Sequence, residues 1–501
     1  MNSRMKAPRS LFRPDPGDAP DRAVTRALAT LSLLLALPYA TPRCARLRVL
    51  EPLEPGAGLS FAPAPRSDAE AIGVVPIPAS PPEGERPPGV ARSDSEPRET
   101  TPDGIATAAR AAQPEEEPSP TPIEDPTHRA LDPYFEELRR LERGEPGVRV
   151  RIAVWGDSTV ETDLVTAGLR RSLQRRFGDG GHGFVMPIAP TWRYLHEGVR
   201  LGTGAGWAMS RINGPLASDG LYGLGATTLH ALGPLAHATV GTATTGDFGR
   251  RVSRFEVDYL EHPGGEPFEL LVDGTPARLV ETRGERARSA AVTLEVEDGP
   301  HELRLAPRGS GVRLFGVVLE RERGIVVDAL GVTNSWMGQL ARIAPDHLAE
   351  QLAWRAPALL VFNFGINEAR AVSQEFPGFD AYERQLREVL GSFRQRAPRA
   401  GCLVHGPLDA GFRDGTAIRG FPRMTPVIEA QRRGAAEVGC AFWDGRAAMG
   451  GEGAMARWRA QGLADHELLH PTREGATKLG AWLHSALLEE YRAFLARTGS
   501  R

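Results

Sequence analysis

Four short stretches of this chain hold the side-chain types that acyl transfer requires. Gly156-Asp157-Ser158 ends one apolar run, Leu330-Gly331-Val332 ends a second, Phe364-Gly365-Ile366-Asn367-Glu368 follows a third, and Asp465-His466-Glu467-Leu468-Leu469-His470-Pro471 precedes the last helical pattern. A serine hydroxyl is a weak nucleophile until an imidazole takes its proton. The imidazole in turn needs a carboxylate to fix its tautomer and stabilise its charged form, and the tetrahedral intermediate needs preorganised donors. Ser158, His470 with Glu467 three residues before it, the Gly331 backbone and the Asn367 amide supply those groups, with Asp465 as a second acid. Each also has a plainer use: Ser158 or Asn367 as a helix cap, Gly331 as a turn, His470 as the residue that shapes a turn before Pro471.

The elements that would position them follow from hydrophobic periodicity. Val148–Trp155 turns from alternating to fully apolar, and the runs 324–330, 358–364, 401–405 and 440–443 read as buried parallel strands. Helical patterns at 133–143, 164–177, 336–353, 378–396, 424–438 and 473–493 separate or follow them. Five strands with crossover helices predict a doubly wound three-layer α/β sheet, in which ligands bind at the carboxyl ends of the strands. The stretch 204–323 departs from this rhythm, with short alternating runs joined by Asp273-Gly274 and Asp298-Gly299. That pattern predicts an antiparallel β-sandwich inserted between the first and second strands.

The order and strand contexts of Gly156-Asp157-Ser158, Gly331, Gly365-x-Asn367 and the late His470 resemble the four sequence blocks of the SGNH, or GDSL, hydrolase superfamily. The resemblance covers about 131–203 and 325–501. It implies a flavodoxin-like α/β/α fold and hydrolysis of esters, often acetyl esters on carbohydrate, without a cofactor. It further implies Ser158 as nucleophile, His470 as general base, and an oxyanion hole built from the Ser158 and Gly331 N–H groups and the Asn367 side chain. The sequence departs from the family in Thr159 after the serine, Glu368 after the asparagine, and Glu467 where an aspartate usually stands. Glu467 is therefore taken as the acid, with Asp465 in reserve. The inserted sandwich resembles the arrangement in bacterial peptidoglycan O-acetylesterases. A carbohydrate O-acyltransferase using the same triad, and an inactive polysaccharide-binding envelope protein, are the alternatives.

Composition bounds the rest. The chain has 501 residues, 41% of them hydrophobic, and a formal net charge of −3, which excludes a collagen, a basic nucleic-acid binder and a multi-span membrane protein. Of 42 prolines, 23 lie in residues 1–130, so little of that segment is expected to pack and about 370 residues remain to fold. Residues 27–40 form an apolar run behind six basic residues, the layout of a signal peptide or N-terminal anchor. Residues 41–130 then read as a disordered proline-rich tether, 131–203 and 324–501 as the two parts of the hydrolase domain, and 204–323 as the carbohydrate-binding-like insertion. The expected location is the periplasm or cell envelope, and the expected partners are an acylated carbohydrate and an envelope polymer. No nucleic acid is expected, and membrane contact only through the N-terminal anchor. No Cys or His spacing suggests a metal; Cys402 and Cys440 open neighbouring strands and can either pair or remain thiols, leaving Cys44 single. Trp192, Tyr194, Trp207 and Tyr222 are candidates for sugar stacking or for the core, and Gly178–Gly183 for a pocket rim rather than a phosphate loop, since no Lys-Ser/Thr tail follows it.

Overall fold

The computed structural model describes residues 75–76 and 121–499, apart from 203, 247 and 372–375. The apolar run at 27–40, Cys44 and nearly all of the tether lie outside the described residues. Among the described residues, no helix is long and apolar enough to cross a membrane.

Five parallel strands form the central sheet: β1 (Arg149–Gly156), β2 (Gly324–Gly331), β3 (Leu359–Asn363), β4 (Gly401–His405) and β5 (Ala441–Trp443). Their spatial order is β2-β1-β3-β4-β5, the flavodoxin-like order, with the direction of winding reversing at β1. Strands β1, β2 and β3 are almost wholly buried, which is why they read as continuous apolar runs rather than alternating ones. Ile123–Glu124 adds an antiparallel edge to β5, so folded structure begins before residue 131. Two residues carry no periodicity, and only the tertiary pairing reveals them.

The flanking helices are α1 (Asp132–Glu142), α2 (Ser158–Glu161), α3 (Leu164–Phe177), α4 (Pro345–Arg355), α5 (Ile366–Arg370), α6 (Phe379–Arg396), α7 (Met424–Val438) and α8 (Arg473–Arg497). The helix expected over 336–353 is divided into a 3₁₀ turn, Met337–Arg342, and α4. Pro345 is the cause: it lacks an N–H and drives Ala344 into extended backbone (ψ 128°), so it starts a helix instead of continuing one.

The chain between α3 and β2, joined by Val75–Pro76 from upstream, builds two antiparallel sheets. One holds, in order, Val75–Pro76, Trp207–Arg211, Thr227–Ala231, Arg313–Glu320, Val252–Glu261 and Arg288–Gly299, with Gly181–Val185 also paired to Arg313–Glu320. The other runs Thr275–Val280, Phe268–Val272, Glu302–Pro307, Ala238–Thr242 and Val199–Leu201. Antiparallel pairing thus starts at Gly181, earlier than the expected 204. Gly178–Gly183 feeds the first of these strands, and its Asp179 bridges Ile325 at the amino end of β2, the opposite end of the sheet from Gly331. It shapes no part of the rim expected for it.

One apolar cluster runs through both parts. At their junction the buried Arg355 of α4 donates to Asp328 of β2 at 2.8 Å and to Glu320 of the neighbouring antiparallel strand at 2.6 Å. Arg151 of β1 reaches Glu320 as well, at 2.7 Å. Such charges are tolerated in a core only when each is paired.

Cys402 and Cys440 are disulfide-bonded, with Cα atoms 4.7 Å apart. Parallel register between β4 and β5 sets the two cysteines side by side. Closing a loop of 38 residues is expected to contribute about 3–4 kcal/mol. A Cys402→Ala/Cys440→Ala double variant should melt markedly lower than the oxidised wild type, and an unchanged midpoint would remove this role.

Candidate active site

The register of the central sheet brings three strand ends together. Gly156 of β1 pairs with Gly331 of β2 on one side and Asn363 of β3 on the other, so the loops that follow all emerge at one rim. Both glycines are required by space. A Cβ on Gly156 would stand 2.3 Å from Val160 Cγ2, and one on Gly331 would stand 2.1 Å from the Glu161 nitrogen.

Past Gly156 the chain makes a single helical turn, α2. Asp157 caps it, its Oδ1 accepting the Thr159 N–H at 2.9 Å. Ser158 is therefore not the cap, and its hydroxyl is left for other work: Oγ lies 2.8 Å from His470 Nε2. Asn367 is not a cap either. It sits inside α5, whose first turn follows Gly365 at φ 129°, and its Nδ2 donates to Ser335 O at 3.1 Å and Asp157 Oδ2 at 3.4 Å. Arg370 donates to Asn367 Oδ1 at 3.4 Å.

The acid differs from the expected order of preference. Asp465 Oδ2 is 3.4 Å from His470 Nδ1, whereas the nearest Glu467 oxygen is 4.0 Å away and Glu467 is engaged by Arg193. The cause is a tight turn. The Asp465 N–H donates to His470 O at 2.9 Å, Leu468 takes a left-handed conformation (φ 61°), and Ala464 bridges Pro471. A turn closed in this way places residues five apart face to face, whereas the three-residue spacing of Glu467 turns its side chain toward Arg193. Burial alone would raise the Asp465 carboxyl, but the hydrogen bond and charge of His470 and the N–H groups of Leu469 and His470 hold it below its ordinary value.

Ser158, His470 and Asn367 line a cavity of about 410 Å³ together with Thr191, Trp192, Arg193, Arg211, Asn213, Thr333, Asn334, Arg370 and Glu467. Gly331 does not line it; Thr333 and Asn334, two and three residues on, do. Gly331 instead packs against the backbone of α2. Buried Glu161, three residues after the serine, accepts from Thr191 Oγ1 and from the Thr333 N–H, and so ties two walls of the cavity together. Of the four aromatic candidates only Trp192 stands at the cavity, 87% exposed. Trp207 and Tyr222 are core residues, and the Tyr194 hydroxyl accepts the Met186 N–H at 2.8 Å.

Two further carboxyls lie behind the rim. Burial raises Asp157, against the opposing hydrogen bond from the Thr159 N–H. Glu368, wholly buried, is pushed up to about 7 by burial, with the Asp157 charge adding to the rise and the Met337 N–H opposing it. Because its folded value exceeds the unfolded one, the folded chain binds the extra proton between about pH 4.5 and 7. Stability contributed by neutral Glu368 is thus full below that window and lost as pH rises through about 7. Glu368→Gln should flatten the fall of the melting temperature between pH 5 and 8; an equally steep fall in the variant would assign it to other groups.

Residues 298–478 match the GDSL-like Lipase/Acylhydrolase family model, a span that includes Asn367 and His470 while Ser158 lies upstream. A solved peptidoglycan O-acetylesterase superposes with a TM-score of 0.61 at 24% identity, covering 74% of this chain and 99% of that one. An acetyl xylan esterase matches with a TM-score of 0.26 at 14% identity, over 33% of this chain and 81% of that one. A lipase/acylhydrolase from Enterococcus faecalis gives 0.25 at 16% identity, over 33% and 76%. No curated protein sequence matches the chain.

Proposed function

We propose that this chain, which has the SGNH hydrolase fold, is an esterase that removes acetyl or other short acyl groups from cell-envelope carbohydrate through Ser158, His470 and Asp465. The observation that carries this reading is the contact of 2.8 Å between Ser158 Oγ and His470 Nε2, with a carboxylate behind the ring and an open cavity in front. Ser158 Oγ attacks the acyl carbon while His470 Nε2 takes the hydroxyl proton. The oxyanion is met by the Ser158 N–H, by donors of the loop after β2, and by Asn367 Nδ2, turned from its present acceptors. Collapse breaks the bond to the sugar oxygen, which leaves with the proton from His470. Water, deprotonated by the same ring, then releases the acid and restores the serine.

Carbohydrate as the acyl carrier is supported by Trp192 beside the cavity, an aromatic face suited to a sugar ring. Export is supported by the basic and apolar segment before residue 40 and by the Cys402–Cys440 bond, which persists in oxidising compartments. The proline-rich composition of the stretch between that segment and residue 75 suits a tether that would let the catalytic rim reach into a polymer. Release of acetate from 4-nitrophenyl acetate and from O-acetylated peptidoglycan or xylan by the purified chain tests the proposal. Absence of turnover on all three would overturn it.

A further inference from the structure

The charge around the cavity is unbalanced. Three guanidinium groups line it, those of Arg193, Arg211 and Arg370, against the single carboxylate of Glu467. Glu467 is already taken by Arg193, whose guanidinium also lies over the Trp192 ring, 4.6 Å from its centre. Among the described residues Arg370 donates only to neutral amide oxygens, Asn334 Oδ1 at 3.2 Å and Asn367 Oδ1 at 3.4 Å. Arg211 has no side-chain hydrogen bond or ion pair among the described residues, although nearly every other partly buried arginine of this chain is paired.

The backbone that carries Arg211 is fixed. It ends the strand Trp207–Arg211; its N–H donates to Pro215 O at 2.9 Å and its carbonyl accepts from Gly214 N at 3.0 Å. Two residues on, Asn213 Nδ2 donates to Thr333 O at 2.7 Å, which fastens this inserted loop to the loop after β2. Asn213 Oδ1 is buried without a partner. A cation on a fixed backbone and an idle buried acceptor therefore stand on the cavity wall that the inserted sheets contribute.

A neutral ligand covering Arg211 would remove water from the guanidinium and return no counter-charge. A carboxylate compensates fully and matches the planar fork of donors. Resting on the esterase reading above, we infer that the substrate is an ester of an anionic glycan, with a sugar-borne carboxylate held by Arg211 and Arg370 while the ester faces Ser158. Arg211 is then a specificity-determining residue, and the antiparallel insertion serves to bring it to the rim.

The test compares two substrates that differ in one group, an O-acetylated methyl glucoside and the corresponding O-acetylated methyl glucuronoside. Wild type should show at least tenfold higher kcat/KM on the uronate, mostly through KM, and the preference should shrink as salt rises from 0.02 to about 0.5 M. Arg211→Gln should reduce the ratio to about threefold or less, and Arg211→Glu should invert it, with melting temperatures close to wild type showing that the fold is retained. A wild-type ratio near one, or an equal loss on both substrates in Arg211→Gln, would overturn the inference. So would a stronger preference for a succinyl hemiester over the uronate, which would place the carboxylate on the acyl group. The esterase reading fails separately: it falls if wild type turns over neither these esters nor 4-nitrophenyl acetate, or if Ser158→Ala retains the activity.

Discussion

Ser158→Ala should lower kcat on 4-nitrophenyl acetate by roughly 10⁴-fold or more, with a melting temperature within about 2 °C of wild type. Removing the nucleophile from a serine triad leaves only the residual catalysis of the oxyanion donors and of substrate binding. The structural cost should be small because Asp157, not Ser158, caps the turn, and among the described residues the hydroxyl's only side-chain partner is His470. Steady-state and burst kinetics on the purified variant read both halves of the expectation. Activity within tenfold of wild type would take Ser158 out of the mechanism, and a collapsed melting temperature would show that it serves the fold instead.

Asp465→Asn is expected to cost about 10³–10⁴-fold in kcat, and Glu467→Ala less than about tenfold. An acid that orients the imidazole and stabilises its charged form acts in the transition state, and its neutral amide replacement leaves the wrong tautomer favoured. Asparagine retains an oxygen for the Leu469 and His470 N–H groups, so the turn should persist and the loss report on charge. Glu467, 4.0 Å from the ring and bound to Arg193, should act mainly on the cavity wall. If the order of the two losses were reversed, the distances would have identified the wrong carboxylate.

How much of this was legible before folding can be judged residue by residue. Helical periodicity located α6 and α7 to within a residue because each buries one face, and β1 to β5 likewise because burial on both faces leaves a continuous apolar run. It did not reveal Ala238–Thr242 or Val199–Leu201, whose small or mixed residues show no alternation and are strands only because a neighbour supplies the other half of each hydrogen-bond ladder. Asp465 against Glu467 was undecidable from spacing, since a helix favours three residues and a closed turn favours five. Arg211, Asn213, Glu161 and Arg370 carried no signal at all. They come from three segments distant in sequence, and only folding brings them to the cavity wall or directly behind it.

The sequence by itself determined the parallel sheet, the order of its strands along the chain, and the identity of a hydroxyl, an imidazole and an amide at strand ends or just before the last helix. Local periodicity and local steric needs are enough for that. The tertiary structure decided which carboxylate faces His470, that Gly331 packs while Thr333 and Asn334 face the cavity, that Trp192 alone of four aromatics stands beside it, and that an arginine from the insertion, without a side-chain partner among the described residues, completes the wall. Those choices depend on strand register, on one left-handed residue at 468 and on contacts between segments more than a hundred residues apart, none of which leaves a trace in a local window of sequence.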